Sequence, residues 1–262
     1  MKCVSVDLGN KPRMIEIMPI SDVHYGSPEF NFKDFKKQID YIKENDDVYT
    51  ILNGDLIDNS TKTSVGDVYS EQVPPLEQIK GVINFLEPIK DKILGITNGN
   101  HCLRTYKQDG IDLMWIVAKT LGLEDRYDPT SLLLFVRFGK GPGGRHTDYK
   151  YCYTIYSSHG DGINGKTVGG RANGLERRGN IVDADVIITS HTHSPLIFSK
   201  QQFKIDYHNS AVNSFEQVFV NTGANLDYSS YAERYGLAPT SMKKPVIVLN
   251  GKGAKEVVAY MK

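Results

Sequence analysis

Short apolar runs recur along this chain, and each stops at a cluster of polar residues. Tyr49, Ile51 and Leu52 form one such run, which ends at Asn53-Gly54 and is followed by Asp55 and Asp58. That is the pattern of a buried strand opening into a loop, at the end where α/β sheets bind ligands. Met14–Ile20 runs in the same way into Ser21-Asp22-Val23-His24, and Ile93–Thr97 into Asn98-Gly99-Asn100-His101-Cys102. Tyr151–Ser157 runs into Ser158-His159-Gly160, and Ala184–Thr189 into Ser190-His191-Thr192-His193.

Between the early runs the apolar period becomes helical. Phe32, Phe35, Ile39 and Ile42 predict a helix over Phe32–Asn45. Leu76, Ile79, Ile83 and Leu86 predict another, opened by Pro74-Pro75 and ended by Pro88. A third covers Ile111–Leu121, with Trp115 read as core. Strands alternating with helices argue for parallel βαβ units. Leu132–Phe138 and Tyr151–Ser157 then predict a hairpin around Gly139–Lys150, a glycine-rich loop with Lys140, Arg145 and His146. Such a loop reads as a solvated turn before it reads as an anion contact. Later runs at Leu196–Lys200, Phe203–Tyr207, Phe215–Val220, Val246–Leu249 and Glu256–Tyr260 predict a mostly antiparallel second half, broken by an aromatic loop with Tyr228, Tyr231 and Tyr235. No linker-like stretch separates the halves. Residues 1–262 therefore read as one α/β domain of two packed mixed sheets flanked by helices.

Composition changes this picture little. Lys+Arg and Asp+Glu both number 31, so no global charge draws the chain to nucleic acid or to acidic membranes. Cys3, Cys102 and Cys152 are few and odd in number, which fits a reducing cytoplasm rather than a disulfide framework. No apolar run is long enough to span a bilayer, and Asp7, Gly9 and Lys11 interrupt any signal-peptide core.

The strand ends carry the chemistry. Five of the seven histidines, His24, His101, His159, His191 and His193, follow expected strands directly, together with Asp22, Asp55, Asp58 and Asn100. His146 and His208 read as surface or hairpin residues. Buried polar groups are costly unless partnered, so such a cluster calls for metal or hydrogen bonds. Mixed imidazole and carboxylate donors suit Mn, Fe, Zn or Co better than Ca or Mg.

In this order the motifs resemble those of the calcineurin-like metallophosphoesterases: Asp22-x-His24, Gly54-Asp55-x-x-Asp58, Gly99-Asn100-His101, His159 alone, and His191-x-His193. Asn221-Thr222-Gly223-Ala224 resembles the N-P-G-S turn often found after the last motif. The resemblance implies a four-layer sandwich and a dinuclear centre of divalent transition metals, manganese first, with Fe, Zn, Co or Ni as substitutes. Asp22, His24 and His193 would bind one ion, Asn100, His159 and His191 the other, and Asp55 both. His101 would face the scissile phosphate, stabilising charge or protonating the leaving oxygen, and Asp58 would orient it. Two ions about 3.5–4 Å apart can share a water and lower its pKa, which prepares it to attack phosphorus.

Three departures stand out. Cys102 occupies the family's usual acidic position, and Ser190 replaces a glycine. Asn59 stands where the Ser/Thr phosphatases carry a phosphate-clamping arginine, so a phosphodiesterase, with a nuclease as its natural form, is favoured over a phosphomonoesterase. Arg104 and Arg171 are the candidate substitutes for that clamp. The implied partner is a phosphate ester such as a nucleic acid or nucleotide, with no membrane; oligomeric state is unread. Two rivals come from other classes. One is a non-catalytic metal-binding scaffold, disfavoured because all seven ligand positions are present. The other is a P-loop nucleotide binder, since Gly160–Thr167 fits G-x-x-x-x-G-K-T. It is disfavoured because Val168-Gly169-Gly170 is a poor helix start.

Overall fold

The structure, a computed structural model, describes all residues except 62–63, 65–68, 70, 142–149, 161–166, 229–231, 234–235 and 237. In chain order its elements are β1 (Lys2–Asp7), β2 (Met14–Ile17), α1 (Phe32–Glu44), β3 (Val48–Asn53), α2 (Pro75–Leu86), β4 (Ile93–Thr97), α3 (Leu103–Asp109), α4 (Leu113–Thr120), β5 (Tyr127–Asp128), β6 (Ser131–Phe138), β7 (Tyr151–Ser158), α5 (Val168–Gly179), β8 (Val186–Thr189), β9 (Leu196–Asp206), β10 (Ala211–Asn221), β11 (Pro245–Asn250) and β12 (Val257–Met261).

The strands form two six-stranded sheets, in the orders β1-β6-β7-β8-β10-β9 and β12-β11-β2-β3-β4-β5. Both are mixed. β2, β3, β4 and β5 pair in parallel, whereas β11 is antiparallel to β2 and to β12. In the other sheet β6–β7 and β9–β10 are antiparallel, and β7–β8, β8–β10 and β1–β6 are parallel.

Apolar faces fix the layers. Val6, Ile17, Ile51, Leu134, Ile155 and Ile247 belong to the core between the sheets. A second core sets α1, α2 and α4 on the outer face of the β2–β5 sheet through Phe35, Ile39, Ile79, Val82, Met114 and Val117. Leu175 of α5 packs with Tyr156, Ile187 and Phe219 on the far side of the other sheet. The helices are capped as their sequences allow: the Asn31 side chain accepts from Asp34 N–H, and Asp112 from Trp115 N–H. Among the described residues no helix is long and apolar enough to cross a membrane.

Several expectations need correcting. Trp115 is 48% exposed, because α4 buries Leu113, Met114, Val117 and Ala118 and turns the indole outward. The two strands expected at 196–200 and 203–207 are one strand, β9, paired without a break to β10. The polar pair Gln201-Gln202 interrupts the apolar pattern but not the ladder. The second half pairs mostly antiparallel, as expected, except that β8 is parallel to both its neighbours and β6 to β1. α5 forms where its glycines argued against a helix, with the Thr167 side chain accepting from Gly170 N–H. That ground for setting aside the P-loop therefore fails. The P-loop residues 161–166, the 142–149 loop with Arg145 and His146, and Tyr231 and Tyr235 lie outside the described residues. His208 is exposed in the β9–β10 turn.

Candidate metal centre

The candidate donors gather at one end of both sheets, just past β2, β3 and β4 in one and β7 and β8 in the other. The backbone there is bent into a conformation L-residues rarely adopt. Asp22, His24, Asp55, Asn59, His191 and His193 have φ between 47° and 72°. Among the described non-glycine residues only Ser210, in the β9–β10 turn, shares that feature. Asp, Asn and His tolerate this region best, so the residue types that donate also permit the turns that aim them. Two glycines give the donors room. A Cβ on Gly99 would lie 2.1 Å from Asp55 Oδ1, and one on Gly54 would lie 2.6 Å from His159 Nδ1.

Three donor groups result among the described residues. Asp22, His24 and His193 converge in the first, Asp55, His159 and His191 in the second, and His24, Asp58 and His101 in a third that shares His24 with the first. Asn100 joins the second group, its Oδ1 lying 3.2 Å from His159 Nε2 and 2.7 Å from His191 Nδ1. The groups adjoin, with Asp22 Oδ1 at 3.9 Å from His159 Nε2. Hydrogen bonding tests whether a cation fits. His159 Nδ1 donates to the Asn53 carbonyl at 2.8 Å, which leaves Nε2, facing Asp55 Oδ2 at 3.1 Å and the Asn100 oxygen, as the position for either a proton or a cation. His24 Nδ1 engages Asp58 Oδ1 at 3.2 Å, and its Nε2 faces His193 Nε2 at 3.3 Å. Asp22 Oδ1 is buried with no hydrogen-bond partner. Acceptors aimed at acceptors are satisfied by a cation at their centre, and these N and O donors suit a divalent transition metal.

The model of the calcineurin-like phosphoesterase family matches residues 15–195. The chain belongs to that family. Among solved structures, a conserved protein of Streptococcus pneumoniae described as a predicted phosphoesterase is similar at 11% identity and a TM-score of 0.37, covering 95% of this chain and 98% of that one. Zinc-complexed Vps29 of Entamoeba histolytica is similar at 12% identity and a TM-score of 0.39, covering 94% and 99%. The comparison with curated proteins finds no match.

Electrostatics in this calcineurin-like phosphoesterase centre follow from burial and neighbouring charge. Burial is the largest influence on Asp22 and raises its carboxyl, but His193 and His159 outweigh it and hold the group well below the usual range. Asp55 is likewise raised by burial and brought far lower by His159. Burial lowers His159, yet Asp55, Asp22 and the Asn53 contact bring it up to about 9. His24 and His191 are lowered, chiefly by burial.

Asp58 joins two imidazoles. Its Oδ1 lies 3.2 Å from both His24 Nδ1 and His101 Nδ1, and its carbonyl is 2.9 Å from His101 Nδ1. Burial lowers His101, but the carboxylates of Asp58 and Asp55 raise it on balance. They favour the imidazolium, whereas a 2.9 Å contact from Arg104 Nη2 to His101 Nε2 requires the neutral ring, since a guanidinium only donates. Arg171 lies in the first turn of α5. Cys102 is fully buried in the α1/α2/α4 core, its thiol pushed up to about 12 by burial and by Asp55; it packs rather than ligates. Asn59 is buried, its side chain donating to the His101 carbonyl and accepting from Thr105 Oγ1.

Sequence reasoning missed a layer of polar residues beneath the donors. Asn53 accepts from Thr97 and Ser157 hydroxyls and donates to Ser158 O and Ser190 Oγ. Ser21 Oγ donates to Asp22 Oδ2 at 2.8 Å and meets Thr222 Oγ1 at 2.5 Å. Asn221 donates to Thr192 Oγ1 and Ser194 O, which braces the His191–His193 turn. The available signal was a polar residue closing each apolar run.

Proposed function

We propose that the chain is a metal-dependent phosphoric ester hydrolase that takes two divalent cations, and that its substrates are phosphodiesters, a nucleic acid being the natural form. The pair of adjoining acceptor clusters carries this reading. Asp22, His24 and His193 would hold one cation, and Asn100, His159 and His191 the other. Asp55 would serve both, because its carboxylate abuts His159 and its charge acts on His24. Donors without thiolate favour manganese, with Fe, Zn, Co and Ni as competitors. When bound, such a pair supplies Lewis-acid polarisation of phosphoryl oxygens and a water acidified toward neutrality. His101 stands at the edge of the cluster, its ring centroid 4.3 Å from that of His24, where a seated phosphoryl group would meet it. The free cysteines Cys3, Cys102 and Cys152 fit a cytoplasmic setting.

The diester preference is supported by Asn59, whose side chain is tied to His101 and Thr105 and offers no charge to a second anionic oxygen. A phosphomonoester reading is supported by Arg104, a guanidinium already beside His101. kcat/KM for bis-(p-nitrophenyl) phosphate, p-nitrophenyl phosphate and short single-stranded DNA, all with Mn, discriminates between them. A tenfold or greater preference for the monoester, about 1.4 kcal/mol, with DNA left intact, rejects the diester reading. Elemental analysis should find two ions per chain, and Asp55→Asn should reduce that number and abolish turnover. Full metal load with no turnover on any ester would identify a binding scaffold instead.

A further inference from the structure

Burial along the β9–β10 hairpin stops half-way. The ladder runs unbroken from the Leu196–Asn221 pair to the Asp206–Ala211 pair, yet only Gln217–Asn221 of β10 are buried, and Ala211–Ser214 are exposed. Val218 and Val220 belong to the core between the sheets. Side chains two apart share a face, so Glu216, Ser214 and Val212 carry that face outward, beside Gln201, Phe203 and Ile205 of β9. Phe203 is 74% exposed, Ile205 60%, Val212 64% and Tyr207, in the turn, 86%.

β9 is also a sheet edge. It has 11 residues, whereas the other edges, β1, β5 and β12, have 6, 2 and 5. Natural edges are blunted by brevity, proline, bulges or charge. β9 has no proline and no bulge. Its two lysines lie on the opposite face, where Lys200 pairs with Glu176 at 2.7 Å and Lys204 with Asp183. On the apolar face of the two strands the one charged side chain is Glu216.

We propose that β9 pairs with β9 of a second copy of this chain, antiparallel about a two-fold axis at Phe203, so that two six-stranded sheets run on as one. An axis through a residue, rather than between two, keeps the apolar residues of both copies on one face. An axis at Gln202 or Lys204 would set lysine against lysine. One at Gln201 would set Phe203 against Ser199, and one at Ile205 would leave few strand residues to pair. An axis at Phe203 sets Phe203 against itself, Ile205 against Gln201, Lys204 against Gln202, and Lys200 against Asp206, an opposite-charge pair. The tip of each hairpin then lies beside the body of the other copy, whose β12 packs on the same face of β10 through Val257 and Ala259. Aromatic side chains present about 150–250 Å² each, so the exposed parts of Phe203, Ile205, Tyr207 and Val212 come to roughly 500 Å² per copy and about 1,000 Å² for the pair, the lower bound of a specific interface. Phe203 lies roughly 20 Å along β9 from Leu196, so the seam is clear of the metal centre and leaves both centres open. The pairing is independent of the phosphoesterase reading.

Sedimentation velocity of the full chain from about 1 to 300 µM tests this, since an interface at that lower bound gives an affinity on the micromolar scale. The parent should pass from monomer to dimer and stop there, because a two-fold contact closes. Phe203→Glu sets two carboxylates face to face and should weaken the dimer at least tenfold, with metal content unchanged. Gln201→Val, which places a β-branched side chain against Ile205 of the second copy, should strengthen it. Both positions are exposed, and an unaltered circular dichroism spectrum in each variant separates lost pairing from lost folding. A chain that stays monomeric across that range, oligomers beyond the dimer, or a Phe203→Glu dimer as tight as the parent's would overturn the proposal. A monomer that captures a different protein through the hairpin overturns it as well.

Discussion

His159 is the side chain in which the charge balance of the centre is clearest. Burial alone would strip its proton, but Asp55 and Asp22 hold the ring protonated up to about pH 9. At pH 7.5 a proton thus occupies the lone pair that a metal must use. The three carboxylates Asp22, Asp55 and Asp58 are held low, and His24 and His191 are lowered too, so none of these has a proton to give at that pH. Metal loading at pH 7.5 should release roughly one proton from His159. Affinity should rise with pH until about 9 and level beyond it. Titration calorimetry in buffers of different ionisation enthalpy checks this; heats that do not vary with the buffer would reject it. The donors themselves were legible in the sequence because Asp, Asn and His at strand ends have few other reasons to cluster. The second attachment of Asp58, to His24, and the hold of Arg104 on His101 were not, since both depend on how the loop after Asp58 meets α3.

At the level of elements, what was legible follows what is buried. Helices α1 and α2 and strands β3 and β4 bury regular apolar faces and left regular patterns. Strand β1 buries only Val4 and Val6, and its charged ends hid it. No residue of α3 is buried, so a helix that carries Arg104 left no period to find. α5 buries just Leu175 and Gly179, and its glycines pointed the wrong way. The turn after β4 has its own requirement, because Gly99 lies against Asp55. Gly99→Ala should force the Asp55 carboxylate aside, since the new Cβ would sit 2.1 Å from Oδ1. We expect a folded protein that binds fewer than two metals per chain, with a stability loss of about 1–3 kcal/mol, typical of overpacking. Wild-type metal content in that variant, measured by elemental analysis, would mean the turn can shift without moving Asp55.

At the level of the whole molecule, the two donor groups assigned to cations each draw on both sheets. Asp22 and His24 follow β2 and His193 follows β8; Asp55 and Asn100 follow β3 and β4, while His159 and His191 follow β7 and β8. Bound cations would therefore join the sheets at one end. Saturation at about 100 times the dissociation constant contributes roughly 2.7 kcal/mol per site, and each kcal/mol is worth about 2–4 °C at this chain length. With two such sites, chelation should lower Tm by roughly 10–20 °C, and Mn should restore it. An unchanged Tm in calorimetry would mean the ions bind the unfolded chain as well or do not bridge the sheets. The pairing of β2 has another consequence. Ile17 lies in register with Ile247 of β11, so the strand leading to Asp22 and His24 has a neighbour on one side only until β11 has been synthesised. All seven donors are synthesised before that neighbour exists. A nascent chain thus carries every ligand while β2 is still an open edge, and its competence to hold metal should arrive abruptly, with β11 rather than with His193.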